Sequence, residues 1–220
     1  MQIKVCGITE AAEIDVLAAN EIDLVGLWYG VEGGPADLPL ERWAELTKAA
    51  AATPKTAPVL VTFLKDADAL REAIEAAPVS WVQLHAYQTP GTVKAIKAIS
   101  PDVRVLKVLH VRGGKCLEGP LVAGYERAGV DAFLFDAVAD DGRVGSTGLT
   151  LDAELVAELA APLQRPFLLA GGISDDNHDA FGPAVAADGF MGIDVDTNAR
   201  GSDGRISGER VSAISRAWRG

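Results

Sequence analysis

Two side chains that can move protons stand where apolar runs end. Cys6 closes the run Ile3–Cys6 and is followed by Gly7, and Asp136 closes Ala132-Phe133-Leu134-Phe135-Asp136. A cysteine serves as general base or nucleophile when nearby positive charge or a helix N-terminus favours its thiolate. The same position equally suits a small buried core residue. A carboxylate ending an apolar run is costly to bury unless it is paired, and its plainer role is to cap the following loop. If both groups face one mouth, a thiol and a carboxyl can divide base and acid roles.

Three glycine-bearing segments stand near these groups. They are Gly145-Ser146-Thr147-Gly148, Gly171-Gly172, and the stretch after Gly192, Asp194-Val195-Asp196-Thr197-Asn198. Glycine lets backbone N–H groups approach an anion, and helix N-termini favour negative charge. Each segment alone also reads as an ordinary turn. Lys107, inside Val105-Leu106-Lys107-Val108-Leu109, must point either into a barrel or toward covering helices; a Schiff-base role and a charge paired with a carboxylate are both open to it. His85 either hydrogen-bonds locally or lines a site. Trp28-Tyr29 reads as packing or as a stacking platform for a ligand. Cys116, in a polar loop, has no partner motif.

The elements that would position these residues alternate along the chain. Apolar runs at 3–6, 24–28, 59–63, 81–85, 103–109, 132–136, 167–170 and 189–193 alternate with helical patterns near 10–20, 39–52, 66–77, 90–99, 118–128, 151–161, 175–187 and 207–218. Asp66 precedes the ladder Ala69, Leu70, Ala73, Ile74, and Ser174-Asp175-Asp176 stands where an N-cap belongs. Continuous apolar strands alternating with helices imply a parallel sheet covered on both faces. Eight such units in 220 residues predict one α/β domain over residues 1–220, a (β/α)8 TIM barrel, with a doubly wound open sheet as the rival. In a barrel, function gathers at the C-terminal ends of the strands, where Cys6, Tyr29, His85, Asp136, Gly171 and Asp194 all fall.

Composition narrows the function classes. The chain is 49% hydrophobic and 23% charged, with a formal net charge of −11. That balance disfavours phosphate-backbone binding, so nucleic acid is not an expected partner. No apolar run reaches the length of a membrane span, and the N-terminus reads directly as a strand with no secretory signal anatomy. A cytoplasmic protein with reduced thiols is expected. Two cysteines and three scattered histidines, His85, His110 and His178, do not suggest a zinc site.

Several of these segments together resemble the phosphoribosylanthranilate isomerase family. Lys4-Val5-Cys6-Gly7-Ile8-Thr9 is similar to its K-V/I-C-G opening, Val82-Gln83-Leu84-His85 to its V-Q-L-H strand, and Leu134-Phe135-Asp136 with Gly145-Ser146-Thr147-Gly148 to its L-L-D followed by G-G-T-G. Leu169-Ala170-Gly171-Gly172-Ile173 with Asn177, and Gly192-Ile193-Asp194-Val195, complete the order over nearly the whole chain. The resemblance implies an isomerase of tryptophan synthesis that performs an Amadori rearrangement of a small phosphorylated sugar-amine. It implies no metal or organic cofactor, with phosphate held by the three glycine-bearing segments. It assigns Asp136 as general acid on the ribose ring oxygen and Cys6 as general base at C2′. Oligomeric state, monomer or homodimer, is left open.

Two segments depart from the family pattern. Trp28-Tyr29-Gly30-Val31-Glu32-Gly33-Gly34 lacks the lysine and the carboxylate-binding arginine of the family's F-Y-P-K-S-P-R. Asp196-Thr197-Asn198 replaces S-S-G in the strand-8 loop, and Arg200 stands where the family commonly has glutamate. A carboxylate beside a phosphate repels it unless it points away. Arg200 would either offset Asp196 or supply a substitute carboxylate contact, and Tyr29, His85 and Lys107 are further candidate substrate contacts. Three readings follow. The first is a phosphoribosylanthranilate isomerase, the second a repurposed relative acting on another sugar-derived substrate through Cys6 and Asp136, and the third a non-catalytic barrel.

Overall fold

The structure, a computed structural model, describes residues 1–138 and 150–220. Eight parallel strands among them form one closed barrel: β1 Gln2–Val5, β2 Leu24–Trp28, β3 Ala57–Thr62, β4 Trp81–Leu84, β5 Arg104–Arg112, β6 Ala132–Ala137, β7 Phe167–Leu169 and β8 Phe190–Val195. Each pairs with its sequence neighbours, β8 pairs with β1, and β4–β5 pairing completes the ring. This is the (β/α)8 architecture, and the open-sheet alternative is excluded. The helices are α1 Ala11–Ala19, α2 Leu40–Ala51, α3 Ala67–Ala76, α4 Pro90–Ile99, α5 Val122–Ala128, α6 Ala153–Ala160, α7 Gly182–Val185 and α8 Gly208–Arg219.

The period-2 alternation of strand side chains makes two cores. Val25, Leu27, Leu60, Val82, Phe133, Phe135 and Ile193 pack outward under helix stripes such as Trp43, Leu46 and Ala50 of α2. Leu24, Val59, Val61, Leu106, Val108, Leu134 and Leu168 fill the barrel interior beneath Cys6. Asp66 caps α3 as expected, its carboxylate accepting from the N–H groups of Asp68 and Ala69.

Three local expectations are corrected. Ser174-Asp175-Asp176 does not cap a helix over 175–187. The Ser174 N–H is taken by the Asn177 side chain, a 3-10 turn spans His178–Phe181, and α7 has only four residues. Pro183 at the start of α7 brings no N–H, and Gly189 is left-handed at φ 84°, so little length remains for a helix. The helix expected over 118–128 begins as a 3-10 turn at Gly119–Leu121, because Glu118 is drawn back to β5. Strand β5 runs three residues past Leu109 and turns through Gly113 and Gly114, both at positive φ, into a short antiparallel arm, Lys115–Cys116.

Candidate active site

The strand ends enclose a cavity of about 190 Å³ lined by Cys6, Trp28, His85, Asp136, the segment 170–173 and the segment 194–198. Cys6 follows β1, and its N–H bonds Val195 O at 2.8 Å, tying it to β8. Asp136 lies in β6, directly across from His110 of β5 in register. Each is only 5% exposed, so both are buried groups that meet the same cavity.

Beneath Cys6 sits a buried ion pair. Lys4 and Asp194 are register partners across β1 and β8, and Lys4 Nζ lies 2.8 Å from both carboxylate oxygens. Burial, the largest single influence, would lower the Lys4 pKa, but the attraction and hydrogen bonding of Asp194 and Cys6 together outweigh it and carry the ammonium up to about 12. For Asp194 burial dominates and pushes its carboxyl above the ordinary value. Burial also raises the Cys6 thiol to about 11, against the pull of Lys4 and of a hydrogen bond from Trp28 Nε1, 3.1 Å from Sγ. Gly26 is required here: a Cβ on it would stand 2.7 Å from Cys6 Sγ and 3.1 Å from Lys4 Nζ.

Across the cavity the main chain turns through Gly171 and Gly172, both left-handed at φ 86° and 64°. Asn177 Nδ2 donates to Gly172 O at 2.8 Å, and Asn198 Nδ2 donates to Ile173 O at 2.8 Å, pinning this turn to the Asp196–Asn198 segment. Asp194, Asp196, Thr197 and Asn198 therefore lie where the sequence placed them, although Asp194 belongs to β8 itself. The expected anion segment Gly145, Ser146, Thr147 and Gly148 lies outside the described residues.

Arg200 does not reach the cavity. Its Nε lies 2.8 Å from Asp196 Oδ1, and its terminal nitrogens donate to Cys6 O, Gly7 O and Gly204 O at 3.2, 2.7 and 3.0 Å. Of the two expected roles it takes the one that offsets Asp196, because its donors are spent on the protein. Lys107 takes the second of its two readings, a charge beside a carboxylate, with Nζ 3.6 Å from Glu118 Oε1. It has outward parity on β5, bonds Ala86 O at 2.8 Å and lies over the Tyr125 ring, so it is not a substrate contact. Burial lowers its pKa to about 8 despite Glu118 nearby. Tyr29 packs on Trp43 at 6.1 Å between ring centroids and stays out of the lining.

His85 does line the cavity, with Nε2 3.5 Å from Asp136 Oδ2 and Nδ1 2.8 Å from Gln83 Nε2. Lys4 was not singled out from sequence as a site residue, and Trp28 was read there only as packing or a stacking platform. The signal for Lys4 was its spacing: two residues before Cys6 on a strand means the same face. Trp28 ends β2 on the inward parity of Leu24 and Gly26. Among the described residues, no group of three or more His, Cys, Asp or Glu is placed to hold a metal, and no helix is long and apolar enough to cross a membrane.

Residues 3–200 match the family model described as N-(5'phosphoribosyl)anthranilate (PRA) isomerase. The chain is 32% identical to the N-(5'-phosphoribosyl)anthranilate isomerase of Natronomonas pharaonis, over 97% of this chain and 95% of that protein. It is 30% identical to N-(5'-phosphoribosyl)anthranilate isomerase 2 of Methanosarcina mazei, over 93% and 88%. The crystal structure of phosphoribosyl anthranilate isomerase from Thermus thermophilus superposes with a TM-score of 0.77 at 20% identity, covering 99% of this chain and 98% of that one.

Proposed function

The chain belongs to the phosphoribosylanthranilate isomerase family, and from that premise we propose that Asp136 and Cys6 are the acid and base of its isomerisation. It is an isomerase of tryptophan biosynthesis. The observation that carries the assignment of residues is the opening of a buried carboxyl and a buried thiol onto one cavity. Asp136 gives its proton to the ribose ring oxygen, the C1′–O bond breaks, and a cationic imine remains. Cys6 removes the C2′ proton to give the enolamine, which becomes the ketose as C1′ gains a proton and the C2′ hydroxyl loses one.

The thiol at about 11 is protonated in the free protein at neutral pH. The cation formed by ring opening supplies the missing influence. A positive charge arriving beside a buried thiol favours its thiolate, the S–H proton passes to the Asp136 carboxylate left by ring opening, and the proton that the C2′ hydroxyl later loses restores the thiol. Lys4 and the Trp28 N–H already bias the sulfur in that direction. The left-handed turn at Gly171–Gly172 and the Asp196–Asn198 segment hold the phosphate, with Arg200 drawing off the Asp196 charge. The reaction takes place in the cytoplasm on a small phosphorylated sugar-amine.

A second reading is favoured by one observation. Asp136, Asp194 and Asp196 line the cavity, and among the described lining residues no lysine or arginine faces a substrate carboxylate. That suits a ribosylamine without the anthranilate carboxylate. Turnover of phosphoribosylanthranilate, compared with a substrate lacking that group, separates the two.

A further inference from the structure

The cavity must admit an anion into an acidic protein. The chain carries a formal net charge of −11, and Asp136, Asp194 and Asp196 line the cavity. The field of such a protein opposes the approach of a phosphorylated substrate unless cations near the entrance offset it. Two cations close to the cavity are already committed. Lys4 is fully buried against Asp194, and Arg200 spends its donors on Asp196 and on main-chain oxygens.

Uncommitted cations stand on the hairpin that extends β5. Gly113 and Gly114, at φ 55° and 76°, form a two-residue turn whose twist matches that of the strands it joins. It sets Arg112 directly opposite Lys115 in an antiparallel pair, so the two residues share one face. Arg112 has the parity of Leu106 and Val108, which makes that face the inner one. The hairpin rises from the C-terminal end of β5, the rim at which the cavity opens. Ring contacts join the two places. His110, two residues before Arg112, meets the cavity-lining His85 at 6.0 Å and the half-exposed Tyr87 at 4.9 Å between centroids.

Arg112 and Lys115 are exposed, and among the described residues neither side chain has a hydrogen-bond or ion-pair partner. Like charges directly opposite each other weaken a strand pair, and a two-stranded arm has little stability to spare. The pairing is therefore unfavourable for the arm itself and favourable only toward an anion. We propose that Arg112 and Lys115 form a cationic rim that draws the anionic substrate to the cavity. The rim acts through its field and touches no reacting atom. It raises the local concentration of an anion at the mouth, so its effect enters KM and kcat/KM. Salt screens it, because the Debye length is only about 10 Å at about 0.1 M. This inference rests on the reading of the substrate as a phosphorylated sugar-amine.

The test compares Arg112→Glu/Lys115→Glu with Lys48→Glu/Arg127→Glu. Lys48 and Arg127 are exposed in the last turns of α2 and α5, at the opposite end of the barrel, so both double variants change the net charge equally. Phosphoribosylanthranilate turnover is measured between about 20 mM and about 500 mM salt. The rim variant should lose at least about fivefold in kcat/KM at low salt, through KM and with kcat not lowered, and less than about twofold at high salt. The control variant should stay within about twofold of the wild type throughout. A rim variant that matches the wild type at low salt, or a control that loses as much, overturns the proposal. Absence of wild-type turnover overturns instead the substrate reading. Binding of ribose 5-phosphate, followed by tryptophan fluorescence with Trp28 in the cavity wall, then decides the role of the rim separately. A low-salt Kd raised at least about threefold in the rim variant alone supports it, and equal Kd values overturn it.

Discussion

The indole nitrogen of Trp28 lies 3.1 Å from the sulfur of Cys6, joining the ends of β1 and β2. An N–H donated to sulfur favours the thiolate, so it works against the burial that raises this thiol. Trp28→Phe keeps most of the apolar contact and removes the donor. A hydrogen bond of about 1 kcal/mol corresponds to roughly a fivefold loss in kcat. In a Cys116→Ser background, the midpoint of Cys6 alkylation by iodoacetamide should move to higher pH. An unmoved midpoint would mean that the donor does not act on the thiolate.

Alkaline pH should weaken the fold in a defined window. The Cys6 thiol rises from 9.0 to about 11 on folding, so between those values the folded chain binds a proton that the unfolded chain has lost. Stability therefore falls as pH climbs through that interval, by on the order of 2 kcal/mol. Lys4, raised from 10.5 to about 12, adds a loss in the same direction at the upper end. Thermal melts from pH 8 to pH 11 should show the decline, and Cys6→Ser should flatten its lower part.

Removing one partner of the Lys4–Asp194 pair should cost more than removing both. Asp194→Leu leaves a fully buried ammonium without its carboxylate, a change that typically costs about 3–5 kcal/mol. Lys4→Met combined with Asp194→Leu takes both charges out and should recover most of that loss. Urea denaturation at pH 7 measures both variants. A double variant no more stable than Asp194→Leu would contradict the account of the pair.

Arg200 ties three loops together and spends its donors on Asp196, Cys6, Gly7 and Gly204. Arg200→Gln should lower stability by about 1 kcal/mol, since it strands part-buried acceptors. It should leave the preference between substrates with and without the anthranilate carboxylate within twofold. A selective loss on the carboxylate-bearing substrate would make Arg200 a direct contact after all.

The barrel was legible because each strand announced itself as an apolar run, and Cys6, His85 and Asp136 because they end such runs. The fate of Lys107 was not legible: a strand lysine faces in or out according to parity, and parity shows only once β5 is registered on β6. His110 was hidden differently. The apolar run stops at Leu109, so His110 read as one of three scattered histidines, yet Val111 continues the alternation and carries the strand onward. Its partner Glu118, eight residues later, comes back only because Gly113 and Gly114 turn the chain. The Arg200–Asp196 contact had a visible signal in opposite charges four residues apart. Its grip on Cys6 O and Gly7 O, which uses up the donors, is a long-range contact that spacing does not reveal.

Direct assay of phosphoribosylanthranilate conversion, with the substrate generated in situ and followed spectroscopically, tests the central claim most closely. The account predicts kcat/KM on the order of 10⁴ M⁻¹s⁻¹ or more for the wild type. It predicts a loss of at least a hundredfold in each of Cys6→Ser and Asp136→Asn, the usual contribution of one acid or base. Wild-type-like turnover by folded Cys6→Ser or Asp136→Asn protein would contradict the acid–base assignment. No turnover by folded wild-type protein would contradict the substrate itself.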